Sequence, residues 1–221
     1  MAGTPSSTKR MKTRAVRSGG KLEGWFSRES ELINKYLHET SRKSVNTPML
    51  VSFTWMKQQN LSTVRSLFKE KRLKRFLELT GNIYPDLVKV FYNNLQFNGD
   101  SLVSHVKGVD IVITNDVWTV VIGLKFSGIR INRGNLGIVE EFKKMQFYKS
   151  CLKNPLSKVR NFSVGGLKLD ERLIAFIVSW IITPRGSNHS TISEEDLLLI
   201  YCIMNKVKII GSTPSRSICN P

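Results

Sequence analysis

LDERLIAFIVSWIITPRGSNHSTISEEDLLLIYCIMN (169–205) decides the fold of this chain. Leu173, Ile174, Phe176, Ile177, Trp180 and Ile181 recur at helical spacing behind Asp170, an acid placed where the helix dipole favours one. Pro184 and Gly186 stop that helix. Ser193 and Asp196 then form a capping box, a hydroxyl followed three residues later by an acid. The helix they open carries Leu197, Leu198, Ile200, Tyr201 and Met204. Two apolar helices joined by a short polar connection are expected to pack as a hairpin near the centre of the core. The run LIAFIVSWII (173–182) is about half as long as a bilayer crossing requires, so it reads as a buried helix rather than a membrane span.

Working outward, the same reading finds more helices and one change of period. Leu32, Ile33, Tyr36 and Leu37 give a helix over 28–40, with Ser27 as its N-cap. Val64, Leu67, Phe68, Leu73, Phe76, Leu77 and Leu79 predict one continuous helix over 63–79, ended by Gly81. Pro85 and Asp86 suit a helical first turn, and Leu87, Val88, Phe91, Tyr92 and Leu95 continue it as a buried stripe. Between 102 and 113 the period becomes two, with Lys107 and Gly108 as a turn, which predicts a small β-hairpin. Asn115 or Asp116 caps a further helix, Gly123 to Gly137 reads as a loop, and 139–152 is helical. The fold class is therefore mainly α (α+β), a helical domain with a small β-hairpin near residues 102–113.

The domain organisation follows. Residues 1–24 hold six basic side chains, one acid and four glycines, with little to bury, and are expected to be a disordered basic tail. Residues 25–61 are an N-terminal helix and linker, 62–210 the main domain, and 211–221 a short polar tail.

Charge points to polyanions. The chain has 221 residues, 34 Lys and Arg against 17 Asp and Glu, and a net charge of +17. Its first 80 residues carry 17 basic and 6 acidic side chains. Such a field attracts DNA or RNA through their phosphates. Two clusters stand out: Lys9, Arg10, Lys12, Arg14 and Arg17 in the tail, and Arg65, Lys69, Lys71, Arg72, Lys74 and Arg75 on the predicted helix. Six like charges within eleven residues repel, and an adjacent polyanion relieves that cost. A solvated helix face paired with Glu70 and Glu78 is the competing reading. Tyr84 and Tyr92 could stack on bases, although packing in the core or at a hinge is the expected role.

Catalytic and metal chemistry find little support. Cys151, Cys202 and Cys219 are too few and too scattered for a disulfide framework, and fit free thiols in a reducing compartment. With His38, His105 and His189 they give no zinc-site spacing. Asp110, Asp116, Asp170 and Glu171 are the candidate carboxylates for a metal-dependent nuclease, but only Asp110 sits on a predicted strand. GxSxG, GxxxxGK[ST] and GxGxxG are absent. His189, in the loop after Arg185, is the one polar group resembling a site, with a structural role in that loop as the plainer reading. No enzyme, no cofactor and no metal is expected. The N-terminus lacks an apolar segment and is not a secretory signal, so the nucleus or cytoplasm is the expected location.

At this point a resemblance enters. GNIYPDLVKVFYNNLQ (81–96), LVSHVKGVDIVIT (102–114), FYKSCLKNP (147–155), the stretch from Phe162 to Asn205 and KVKII (206–210) together resemble the plant transposon protein domain. This is a family of retroelement-derived, uncharacterised plant proteins, often from legumes. The resemblance covers roughly residues 62–210. It implies a transposable-element history without implying transposase activity. It also implies that longer relatives continue past the EEDLLLIY helix, so truncation at 211–221 is expected.

Two functional classes are thus expected from sequence. One is weak, sequence-independent nucleic-acid association through the basic surface. The other is a protein-interaction or self-association domain, and a relic with no selected function stands beside both.

Overall fold

The computed structural model describes residues 25–26, 30–46, 48–123, 129–130, 139–184, 186, 188–207 and 209–210. Its α-helices are α1 (Ser30–His38), α2 (Phe53–Gln58), α3 (Ser62–Glu70), α4 (Lys74–Leu77), α5 (Pro85–Asn93), α6 (Asn115–Ile122), α7 (Lys144–Cys151), α8 (Leu169–Ile177) and α9 (Glu194–Met204). Strands β1 (Gln96–Asn98), β2 (Ser101–Val106) and β3 (Val109–Ile113) form an antiparallel sheet in that order. Strand β4 (Ile129–Arg130) pairs in parallel with β5 (Ile209–Ile210). The chain is mainly helical with a small sheet, the α+β class that its periodicities predict.

The α8–α9 hairpin forms as expected. Ile174, Ile177 and Val178 share one core with Leu197, Ile200 and Ile203. Ser193 Oγ accepts from the Asp196 N–H at 3.1 Å, and Asp196 Oδ2 accepts from the Ser193 N–H at 3.4 Å, which closes the capping box. Such a cap stabilises a helix start by about 1 kcal/mol. Val64 and Phe68 of α3 and Tyr148 and Cys151 of α7 join this larger core, and Val51, Phe53 and Met56, from the stretch read as linker, are buried in it as well.

A second, smaller core sits elsewhere. It holds Phe26, Tyr36, Val90 and Val106, with Leu32, Ile33, Leu87, Phe91 and Ile111 packed around them. The inner face of the sheet presents Leu102, Ser104 and Val106, all buried, as the alternation predicts. Lys107 and Gly108 both have positive φ, 51° and 80°, which matches the twist of a two-residue hairpin turn. The sheet gains one strand that the sequence did not reveal. All three residues of β1 are exposed, so they carry no alternation to read.

Buried amides tie this smaller core together. Asn93 accepts from the Thr40 hydroxyl at 2.9 Å and donates to the Leu32 carbonyl at 2.9 Å. Asn94 receives a second Asn93 bond at 3.2 Å and donates to the His105 carbonyl at 2.6 Å. Asn93 and Asn94 are 3% and 5% exposed, so these bonds replace water that burial removed.

The expected helix over 63–79 is two helices. Arg72 has φ 59°, the left-handed conformation. Its N–H donates to Lys69 O at 2.9 Å and the Leu73 N–H donates to Phe68 O at 3.0 Å. That pair of bonds is a Schellman ending, a closure that usually places glycine where Arg72 stands. Leu73 then packs on the core that contains Phe68. Apolar burial, rather than a glycine, ends α3.

Candidate nucleic-acid interface and aromatic groove

The break between α3 and α4 rearranges the basic stretch. Arg72, Lys74 and Arg75 line one surface groove of about 570 Å³, with Glu78, Leu79, Thr80 and Gly123 completing it. Gly123 ends α6 with φ +74°, and a side chain there would meet Arg75 Cδ at 3.8 Å. The C-terminal end of a helix dipole thus lies beside a guanidinium, a favourable placement.

Not every cation of the stretch is available. Lys71 turns inward and donates from Nζ to the Val207 carbonyl at 2.7 Å. Burial of its ammonium lowers its pKa below the ordinary 10.5. Lys74 Nζ sits 2.8 Å from Glu78 Oε2, and Glu78 Oε1 accepts from the Phe53 N–H at 3.2 Å. The bond from Lys74 holds the Glu78 carboxyl below its ordinary range. Arg65, half-buried on α3, and Lys69, Arg72 and Arg75, all exposed, form no ion pair among the described residues. Thus three of the six sequence candidates share a groove, Lys71 serves the fold, and Arg65 and Lys69 lie earlier on α3. Lys9, Arg10, Lys12, Arg14 and Arg17 lie outside the described residues.

Tyr84 and Tyr92 are 60% and 55% exposed, which corrects the expectation that both pack in a core or hinge. Tyr84 is the N-cap residue ahead of Pro85, and Tyr92 meets Phe91 edge-on at 5.5 Å. Helix α5 buries only Val90 and Asn93 fully, so its outer face leaves Tyr92 in solvent.

A second groove, of about 470 Å³, was hidden in the apolar stripe of α8. Leu169, Arg172, Leu173 and Phe176 recur at spacings of three and four and line it together. Trp55 and Gln59 from α2 and the end of that helix complete the opposite side. Phe176 and Trp180 stack with ring centroids 5.7 Å apart, and His189 stacks on Trp180 at 3.6 Å and 14°. The sequence assigned Phe176 to the buried stripe, but it is 44% exposed. Its i, i+4 spacing to Trp180 was the available signal, and core packing explained that spacing equally well.

The backbone holds this groove in shape. Val178–Ile182 is a π-helical turn, and the Thr183 N–H donates to Val178 O, five residues back, at 2.8 Å. Such turns occur often at functional sites. Thr183 Oγ1 also donates to Asp196 Oδ1 at 2.8 Å, so the capping box of α9 anchors the end of the turn. Asn188, with φ 59°, reverses the loop. Val164 N–H to Ser190 O at 3.0 Å and Ile192 N–H to Phe162 O at 2.7 Å then fasten it, which brings His189 over Trp180.

The remaining candidates are placed apart. Asp110 pairs across the strands with His105, Oδ1 to Nδ1 at 2.7 Å, on the outer face of the sheet. Asp116 lies in the first turn of α6, and Asp170 and Glu171 in that of α8. Among the described residues no group of three or more His, Cys, Asp or Glu is arranged to hold a metal ion. Cys151 and Cys202 are buried free thiols, each pushed up to about 11 by burial. Among the described residues no helix is long and apolar enough to cross a membrane. No family model matches the chain, and neither a curated protein nor a solved structure matches it.

Proposed function

We propose that this chain is an element-derived domain that associates weakly and without sequence preference with nucleic-acid phosphates. The observation that carries this reading is the convergence of Arg72, Lys74 and Arg75 on one groove, two of them without an ion pair among the described residues. A turn that directs three cations to one surface is costly in self-repulsion, and phosphates relieve that cost. The excess charge of the first 80 residues, 17 basic against 6 acidic, adds a field of the same sign. The resemblance of residues 62–210 to the plant transposon protein domain supports a transposable-element origin, and the basic surface suits a relic of an element's packaging or coat-type protein. Affinities of roughly 10⁻⁴–10⁻⁶ M suit such contacts. The reading includes no base readout and no catalytic step.

The test is fluorescence anisotropy of the full chain with short single- and double-stranded DNA and RNA, titrated across salt. Binding should weaken steeply with salt, and Arg72→Gln with Arg75→Gln should flatten the log–log slope on duplex DNA by about 2. A folded, monodisperse sample that binds nothing at low salt would end the proposal.

A further inference from the structure

The aromatic groove carries chemistry that the phosphate surface does not use. Its volume, about 470 Å³, is that of a small-molecule pocket. Its walls are apolar and aromatic, and Trp55 and Phe176 stay 51% and 44% exposed. Arg172 is the one Lys, Arg, Asp or Glu lining it among the described residues. Its guanidinium makes no hydrogen bond or ion pair among the described residues, whereas Lys74, Lys144 and Lys206 all find carboxylates. His189, which also lines the groove, has its Nδ1 buried without a hydrogen-bond partner among the described residues. The protein therefore supplies exposed aromatic side chains and one cation unpaired among the described residues in a single cavity.

We propose that this groove binds a planar aromatic anion, its ring against Trp55 and Phe176 and its charged group on Arg172. A flat ring gains offset or edge-on contact with the exposed side chains, where an aliphatic ligand would gain burial alone. The guanidinium fork matches a carboxylate or phosphate in two-point geometry. An arene carboxylate and a nucleoside monophosphate share this chemistry, and the proposal is independent of nucleic-acid binding at Arg72 and Arg75.

The experiment follows the four tryptophan indole N–H signals of the full ¹⁵N-labelled chain. The ligands are 2-naphthoate, adenosine monophosphate and the neutral 2-naphthalenemethanol. Trp55→Phe assigns its own signal. The signals of Trp55 and Trp180 should shift saturably, while those of Trp25 and Trp118 stay in place. Arg172→Met should weaken the anion roughly tenfold and leave the alcohol unchanged. Phe176→Ala should weaken both. Shifts with naphthoate alone assign the site to arene carboxylates, shifts with the nucleotide alone assign it to nucleotides, and shifts with both leave it general for the class. The proposal is overturned if no ligand shifts the wild-type signals up to millimolar concentration, or if all four signals move together. Equal effects of Arg172→Met on anion and alcohol overturn it too.

Discussion

Lys71 and Val207 are joined by a 2.7 Å hydrogen bond across 136 residues of chain, from the ammonium to the backbone carbonyl. The bond takes one cation out of the basic stretch and commits it to holding the end of α9 against α3. Lys71→Met should therefore leave the salt dependence of nucleic-acid binding unchanged. Its effect on stability should be about 1 kcal/mol or less, because relief of the buried ammonium offsets the lost bond. A change near one in the slope would place Lys71 in the phosphate surface and refute this assignment.

Arg72 predicts the reverse pattern. A left-handed backbone costs a side-chain-bearing residue roughly 1–2 kcal/mol. Arg72→Gly should raise stability by about 0.5–1 kcal/mol in urea titrations, after glycine's extra unfolded-state entropy is set against that strain. The same variant should bind nucleic acid less well. A variant that is both less stable and equally competent in binding would show that arginine stands there for the fold.

Asn93→Ala should be far more damaging than its size suggests. It leaves the Thr40 hydroxyl and the Leu32 carbonyl without the partner they now have. A loss of about 2–3 kcal/mol is expected by urea unfolding, from two or more buried groups left unsatisfied. A loss under about 0.5 kcal/mol would mean that water reaches these groups.

Alkaline pH gives a further prediction. Cys151 and Cys202 titrate near 9 when exposed and are pushed up to about 11 in the fold. Between these values the unfolded chain releases protons that the folded chain keeps. Their stabilising contribution is full below pH 9 and is lost as pH rises through about 11. Tyr36 and Tyr148, raised by burial, act in the same direction, and Lys71, lowered by burial, acts in the opposite one. The net expectation is falling stability across this window, on the order of 2 kcal/mol per thiol. Urea midpoints of the Cys151→Ala, Cys202→Ala double variant should fall less steeply with pH than those of the wild type.

What the sequence revealed and what it hid have separate physical causes. Ser193 and Asp196 act through neighbours three residues apart, so their cap was legible. Lys107 and Gly108 likewise announce their turn locally. Arg72 gives no such sign, because the force that turns the chain there is Leu73 settling on the core of Phe68. Phe176 was misplaced for a related reason. Helical spacing identifies residues that share a face, but not whether another element covers that face. The groove needed Trp55 beside α8, which arrives from a distant part of the chain, and His189 folded back over Trp180 by the loop that follows.

The two larger cores alternate along the chain. Phe26 and Tyr36 belong to one, Val51 to Leu77 to the other, Val90 and Val106 to the first again, and Tyr148 to Ile203 to the second. No single cut separates them. A fragment starting at residue 62 would lose Phe53 and Met56 from one core and Phe26 and Tyr36 from the other. During synthesis the first helix must wait for α5 and the sheet, while α2 and α3 wait for α8 and α9. Recombination that moved only part of the span would carry two unfinished interiors into its new host, so this stretch is inheritable only as a whole.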